Sequence, residues 1–311
     1  MSLMRAIVDK LLTNVSNSYQ AQGFISEMLL PMISTAQYSG KLGGYGTNHL
    51  KLENALGGGL GAYKNVNPVT TTMTNYDIGS YGLEGFVSPR DRANFELPFD
   101  AEADLTAGLT SLLIISKEVT LANALRSTAI MSQNTTLTGT NQWSDYTNSN
   151  PIGDINTGKA VVKASTGALP NFLILDWATA NVLRYHPQLL NNLGFKDSRP
   201  GGLTANEMAM AFDLPKVFVP TCNYDSAKEG QASVFSPIWG KDVIIGVAPD
   251  TAGPFQASLG YRLQKAGKTP RRVFKYGVNN PPDTTAILVD DEYQHFLSNV
   301  KAGYLIKTAI A

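Results

Sequence analysis

Apolar positions fall into separate helical and extended runs along the chain. The strongest helical pattern covers residues 99–127, where Ala101, Leu105, Leu109, Leu112, Ile115, Val119 and Ala122 recur as a stripe. Asp100 suits the N-cap, and Glu102 and Asp104 suit the positive end of the helix dipole. At 1.5 Å per residue this helix is about 40 Å long, the length of a structural spine. Residues 1–35 carry a weakly amphipathic run (Leu3, Ile7, Leu11, Leu12) and a second apolar run, FISEMLLPMI, whose Pro31 ends any helix. Both a packed helix pair and an extended arm with two docking points fit that pattern.

Downstream, residues 154–166 predict a helix, NFLILD a buried strand, and WATANVLRYHPQLL a single helix. A loop at Lys196–Leu203, a short helix ANEMAMAF and a strand KVFVP follow. SVFSPIWG and KDVIIGVAP predict two strands paired through a turn at Gly240. RRVFKYGV and TAILVD predict strands, with a connecting region through His295 and a final run KAGYLIKTAIA. Segregated strands and helices read as an α+β fold, with no internal repeat.

Residues 36–88 are glycine-rich and contain almost no contiguous apolar cluster. YSGKLGGYGTNHLKLENALGGGLGAYKN leads into VNPVTTTMTNYDIGSYGLEGFVS. The Thr, Val and Tyr residues at 66–76 favour strand, and Gly57, Gly58, Gly59 and Gly61 mark a turn or tip between two extended arms. An isolated two-stranded ribbon is marginal in water. Either this segment is disordered or something outside the subunit covers it.

Composition narrows the function. The 311 residues carry 25 Lys+Arg against 25 Asp+Glu, and only 16% are charged, against about 25% in ordinary soluble proteins. Neutrality argues against a dedicated nucleic-acid binder. The single Cys222 excludes an intrachain disulfide framework and a Cys-based zinc site. The length suits one large domain or two. No uninterrupted apolar run approaches the roughly 20 residues of a membrane span. The N-terminal MSLMRAIVDKLL lacks a signal peptide's unbroken apolar stretch, which predicts synthesis in a reducing cytoplasm.

The search for catalytic chemistry is negative. GGGLGA at 57–62 has neither the preceding buried strand nor the following helix of a dinucleotide loop. GKT at 267–269 fails as a Walker A loop because Arg262 stands where its first glycine belongs. His49, His186 and His295 are scattered and read as surface or capping residues. Asp290, Asp291 and Glu292 read as a solvated loop or interface face, and Cys222 as a bystander. Trp177 and Tyr185 read as core or interface packing. Arg90, Asp91 and Arg92 read as a charged network that fixes the approach to the spine helix. No catalytic, cofactor or metal-binding residue is predicted.

The order of segments nonetheless resembles a known family. An arm ending in Pro31 precedes the glycine-rich excursion. VSPRDRANFELPFDAEADLTAGL then enters the long helix with its internal glutamate, SKEVTLANAL. The phrases WSDYTNSNPIGDI, PNFLILDWATANVLRYHPQLL, AFDLPKVFVP and VFSPIWGKDVIIGVAP follow. Over residues 20–311 this series resembles the major capsid proteins of tailed bacteriophages, which share the Hong Kong 97 fold. The resemblance implies an N-terminal arm at 1–35, an extended ribbon (the E-loop) at 36–88, and a peripheral domain at 89–164 with the spine helix at 99–127. An axial domain would follow at 165–268, and 269–311 would complete the peripheral domain.

That resemblance implies a structural subunit that assembles with itself into pentamers and hexamers of an icosahedral head around double-stranded DNA. A separate scaffolding protein, a portal and a decoration protein are its implied partners. Gly57, Gly58, Gly59, Gly61, Tyr63, Lys64, Arg90 and Arg92 are the implied assembly-interface residues. An encapsulin-like nanocompartment shell has the same fold. A cytosolic α+β enzyme with a glycine-rich lid at 36–88 is the alternative from another class.

Overall fold

The computed structural model describes residues 7–19, 22–43, 47–53, 65–66, 73–94, 100–195, 200–228, 230–253, 256–278 and 284–311. The chain begins with β1 (Ile7–Val8), α1 (Lys10–Ser18), α2 (Ser26–Leu29) and β2 (Met32–Thr35). Asp9 caps α1 by accepting from the amides of Leu11 and Leu12. Extended Leu30, ahead of Pro31, ends α2. The two helices dock separately on the spine. Leu12 joins one apolar cluster, and Ile25, Leu29 and Leu30 join another.

Strands β3 (Ser39–Gly43) and β4 (Met73–Asp77) form an antiparallel pair with Ser39 opposite Asp77 and Gly43 opposite Met73. β5 (Gly79–Val87) follows, then α3 (Pro89–Asn94) and α4 (Ala101–Arg126). α4 is the predicted spine, and the Asp100 carboxylate accepts from the Glu102 amide at 3.0 Å. Its buried face differs from the predicted stripe. Thr106, Thr110, Lys117 and Glu118 lie inside, while Leu112 is 55% exposed and Ile115 and Val119 are half-buried. Choosing only apolar side chains shifted the stripe, because part of this helix's inner face is polar and finds its partners there. By length and composition alone α4 could cross a membrane, yet both of its ends pack into the subunit's cores.

The remaining elements are β6 (Asn134–Thr136), α5 (Pro151–Thr166), β7 (Phe172–Leu175), α6 (Trp177–Leu183), α7 (Pro187–Asn192), α8 (Ala205–Ala211), β8 (Lys216–Phe218), β9 (Asn223–Asp225), β10 (Phe235–Pro237), β11 (Val243–Gly246), β12 (Tyr261–Lys265), β13 (Arg271–Val278), β14 (Thr284–Phe296) and β15 (Gly303–Lys307). The single helix expected over 177–190 is two. His186, held extended before Pro187, leaves the first helix and caps the second, its Nδ1 accepting from the Gln188 amide.

The turn at Gly240 forms with φ +61°, but the hairpin expected around it does not. β10 pairs with β9, whereas β11 pairs with β7 and β15. Val243–Gly246 is buried at every position, and β7 and β15 each pair along its whole length, which the shorter, Pro-ended β10 could not do. TAILVD does not end at Asp290. β14 runs on through His295 to Phe296.

Two layers result. In one, the order β6-β15-β11-β7-β8 makes a five-stranded sheet, with α5 packed on β11 and β15. In the other, β14 is central: β5 lies along one edge, and β13 then β12 lie along the other. Tyr293 pairs with both Gly79 and Gln264, which places β5 and β12 on opposite sides of it. β2 pairs in parallel with β12, and β1 pairs with β13. The spine joins the layers. Leu121 and Leu125 enter the large core over the five-stranded sheet, and Ala101, Leu109 and Leu113 enter the smaller core beneath β13 and β14.

Sheet pairing and helix packing join segments that lie far apart in the sequence. Residues 79–87 belong to the β14 sheet, α5 begins at Pro151 against the other sheet, β12 sits beside β14, and β15 returns to β11. Sheet pairing between residues far apart in sequence decides this, and local pattern does not encode it.

Candidate assembly site

β14 carries the acidic triple, and strand geometry sends alternate residues to opposite faces. On one face Asp290 pairs with Arg272 and accepts from Ser80 Oγ at 2.7 Å. Glu292 on the same face takes Lys268 at 2.8 Å and Arg272 at 2.5 Å. On the other face Asp291 holds Lys117 Nζ of α4 at 2.9 Å. That ammonium also reaches Glu27 of α2 at 3.2 Å and stands 4.3 Å from the Tyr293 ring centre. The triple is therefore buried and neutralised within the subunit, where a solvated loop or interface face was expected. Buried carboxylates persist only when paired in this way.

Burial pushes the Asp291 carboxyl up, with Lys117 opposing. Burial also raises Glu27, but Lys117, Arg271 and Arg262 outweigh it and hold that carboxyl below its usual range. His295, read as a surface or capping residue, is instead half-buried in the middle of the β14 sheet. Burial, then Lys117 and Arg262, press its pKa down to about 4.

The spine's internal glutamate makes the other buried junction. Glu118 accepts from the amides of Ile25 (3.2 Å) and Ser26 (2.7 Å) at the start of α2, and from Trp239 Nε1 at 2.7 Å. Neither Lys117 nor Glu118 was singled out for this role by sequence reasoning. The available signal was a charged pair in the middle of an otherwise apolar helix. Cys222 lies near Glu118, and burial followed by that carboxylate pushes its thiol up to about 12, which leaves it inert.

The root of the ribbon has a small cluster of its own: Tyr76, Ile78, Tyr261, Leu263 and Phe296. Tyr38 fastens it. Its hydroxyl accepts from Lys268, its ring lies 5.0 Å from that ammonium and 5.3 Å from Lys265, and its carbonyl accepts from the Ile78 amide at 2.8 Å. Beyond the root, β3 and β4 are exposed or half-exposed except at Tyr76.

Of the expected interface residues, Gly57, Gly58, Gly59, Gly61, Tyr63 and Lys64 lie outside the described residues. Arg92 works within the subunit, donating to Glu102 Oε1 and to Thr285 Oγ1, each at 2.7 Å, and so fixes α3 against the spine, while Asp91 of the expected network accepts from Ser88 Oγ at 2.7 Å. Arg90 is exposed on α3. Trp177 and Tyr185 are exposed rather than core residues. Trp177 and Phe235 line one cleft between the start of α6 and the β9–β10 pair. Leu11 and Met28 on the arm, Met73 on the ribbon and Phe86 on β5 add further apolar surface. Among the described residues, no group of three His, Cys, Asp or Glu side chains could hold a metal ion.

No family model matches the sequence. The chain is 24% identical over 314 residues to the major capsid protein of Burkholderia phage BcepMu, covering 96% of each. It is 22% identical over 238 residues to the major capsid protein of Pseudomonas phage JBD67, covering 75% of this chain and 74% of that one. A phage-related protein from Bordetella bronchiseptica RB50 superposes with a TM-score of 0.75 at 24% identity, covering 98% of each chain. The capsid of cyanophage P-SCSP1u superposes at 0.57, with 11% identity and 93% of this chain covered. The chain has the Hong Kong 97-type capsid fold, and the curated relatives that match it are phage major capsid proteins. The role of those relatives is structural rather than enzymatic.

Proposed function

We propose that the subunit forms pentamers and hexamers of an icosahedral head that encloses double-stranded DNA without reading its sequence. Assembly takes place in the host cytoplasm, with a scaffolding protein, a portal and a decoration protein as partners. In this layout residues 1–35 are the arm, the ribbon leaves the subunit between β3 and β4, α5 and the five-stranded sheet form the axial domain, and the β14 sheet with the spine forms the peripheral domain. One observation carries the reading: β3 and β4 project from a fastened root with almost no buried residue of their own. A ribbon so exposed gains stability only by lying on a neighbouring subunit. Gly57, Gly58, Gly59, Gly61, Tyr63, Lys64 and exposed Arg90 are its proposed contacts there, joined by Arg92 where its charge stays accessible.

Deleting residues 55–63 tests this. The expected result is a folded subunit that no longer closes shells under negative-stain microscopy when coexpressed with its scaffold. Normal shells from the deletion overturn it. A nanocompartment shell has the same fold, and nucleic-acid content separates the two, since heads purified from virions hold genome.

A further inference from the structure

On the arm-facing side of β14, charge does not balance. Lys117, Arg262 and Arg271 bring three positive charges, and Glu27 and Asp291 bring two negative ones. Glu27 Oε1 is their focus, with Lys117 Nζ at 3.2 Å but Arg262 Nη1 and Arg271 Nη1 each at 4.0 Å. Both guanidiniums therefore stand beyond hydrogen-bond reach of that oxygen.

The same groups carry orphaned donors. The Arg271 side chain is only 6% exposed, yet among the described residues its Nε and Nη1 have no hydrogen-bond partner. Arg262 Nε has none, nor has either ring nitrogen of His295, whose backbone pairs directly opposite Arg262. Buried polar groups are almost always paired, and a buried unpaired cation is costly. Water can satisfy the bonds but not the charge.

We propose that this cluster is an anion site. A small monovalent inorganic anion, either a halide or an oxyanion, sits against Arg262 and Arg271 beside His295 and completes the charge balance. Glu27, 40% exposed at its mouth, competes for the same cations. The site lies where α2 of the arm meets β12, β13 and β14, so the bound anion ties the arm to the sheet.

The test is thermal unfolding of the purified subunit in sodium chloride, phosphate or gluconate at matched ionic strength. Chloride or phosphate should raise Tm saturably, by on the order of 2–4 °C, over bulky gluconate. A response to chloride alone identifies a halide site, and a response to phosphate alone identifies an oxyanion site. Glu27→Gln removes the competing carboxylate and should lower the half-saturating concentration several-fold. Arg271→Met should abolish the response if it folds, and Glu27→Gln keeps the test decisive if it does not. Equal Tm in all three salts, or unchanged half-saturation in Glu27→Gln, overturns the proposal.

Discussion

Glu118 on the spine accepts a 2.7 Å hydrogen bond from the indole Nε1 of Trp239, 121 residues away in sequence. The same fully buried carboxylate caps α2 through the amides of Ile25 and Ser26. Arm, spine and the turn before β11 thus meet at one side chain. Glu118→Leu leaves three donors facing an apolar group. The expected loss is on the order of 3 kcal/mol or more, read from urea unfolding. A loss below about 1 kcal/mol would show that the junction carries little.

The corrected face of α4 gives a paired test. Leu109 is buried and Leu112 exposed. Leu109→Asp places an unpaired charge in the core and is expected to prevent folding. Leu112→Asp is expected to change subunit stability by no more than about 0.5 kcal/mol. Circular dichroism with urea titration of both variants distinguishes this face from the one read off the sequence.

Acid should weaken the subunit. The unfolded His295 ring titrates near 6.5, while in the fold it titrates at about 4. Between those values the unfolded chain holds the extra proton, so stability falls as pH drops, by up to about 3 kcal/mol. It is fully present above 6.5. Glu27, lowered in the fold, adds a loss of the same sign as pH falls below its ordinary value of 4.5. Asp291, raised in the fold, opposes both just above 3.8. Urea midpoints of wild type and His295→Gln at about pH 7 and pH 5 check this, with a flatter profile expected for the variant.

The ribbon root depends on Tyr38, which Lys265 and Lys268 approach together. Because these contacts are exposed, Tyr38→Ala should cost the subunit less than about 1 kcal/mol. Limited proteolysis should nonetheless cut residues 44–72 faster, and shell yield should fall. Unchanged cleavage would show that the Tyr76 cluster holds the root by itself.

α5 shows how closely helix and sheet approach. A Cβ at Gly158 would lie 2.7 Å from Ile245 Cδ1 and 2.8 Å from Tyr304 Cδ1. Gly158→Ala is therefore expected to destabilise by about 1–3 kcal/mol in urea unfolding, despite alanine's better helix propensity.

Sequence by itself determined the elements whose causes are local. The Asp100 cap and the length of α4, the buried run of β7 and the stop at Pro31 were all legible, because capping and periodicity act over a few residues. The order of these segments also carried the family. Tertiary structure alone decided which strands pair and which charges are buried. β10 and β11 are adjacent in sequence yet belong to different sheets, and Asp290 and Asp291 are adjacent yet serve different ion networks. Lys117 and Glu118 look like surface residues until Asp291, Ile25, Ser26 and Trp239 close around them. The physical reason is that burying a charge is favourable only where distant residues supply its partners, and no local pattern records which distant residues the fold will bring there.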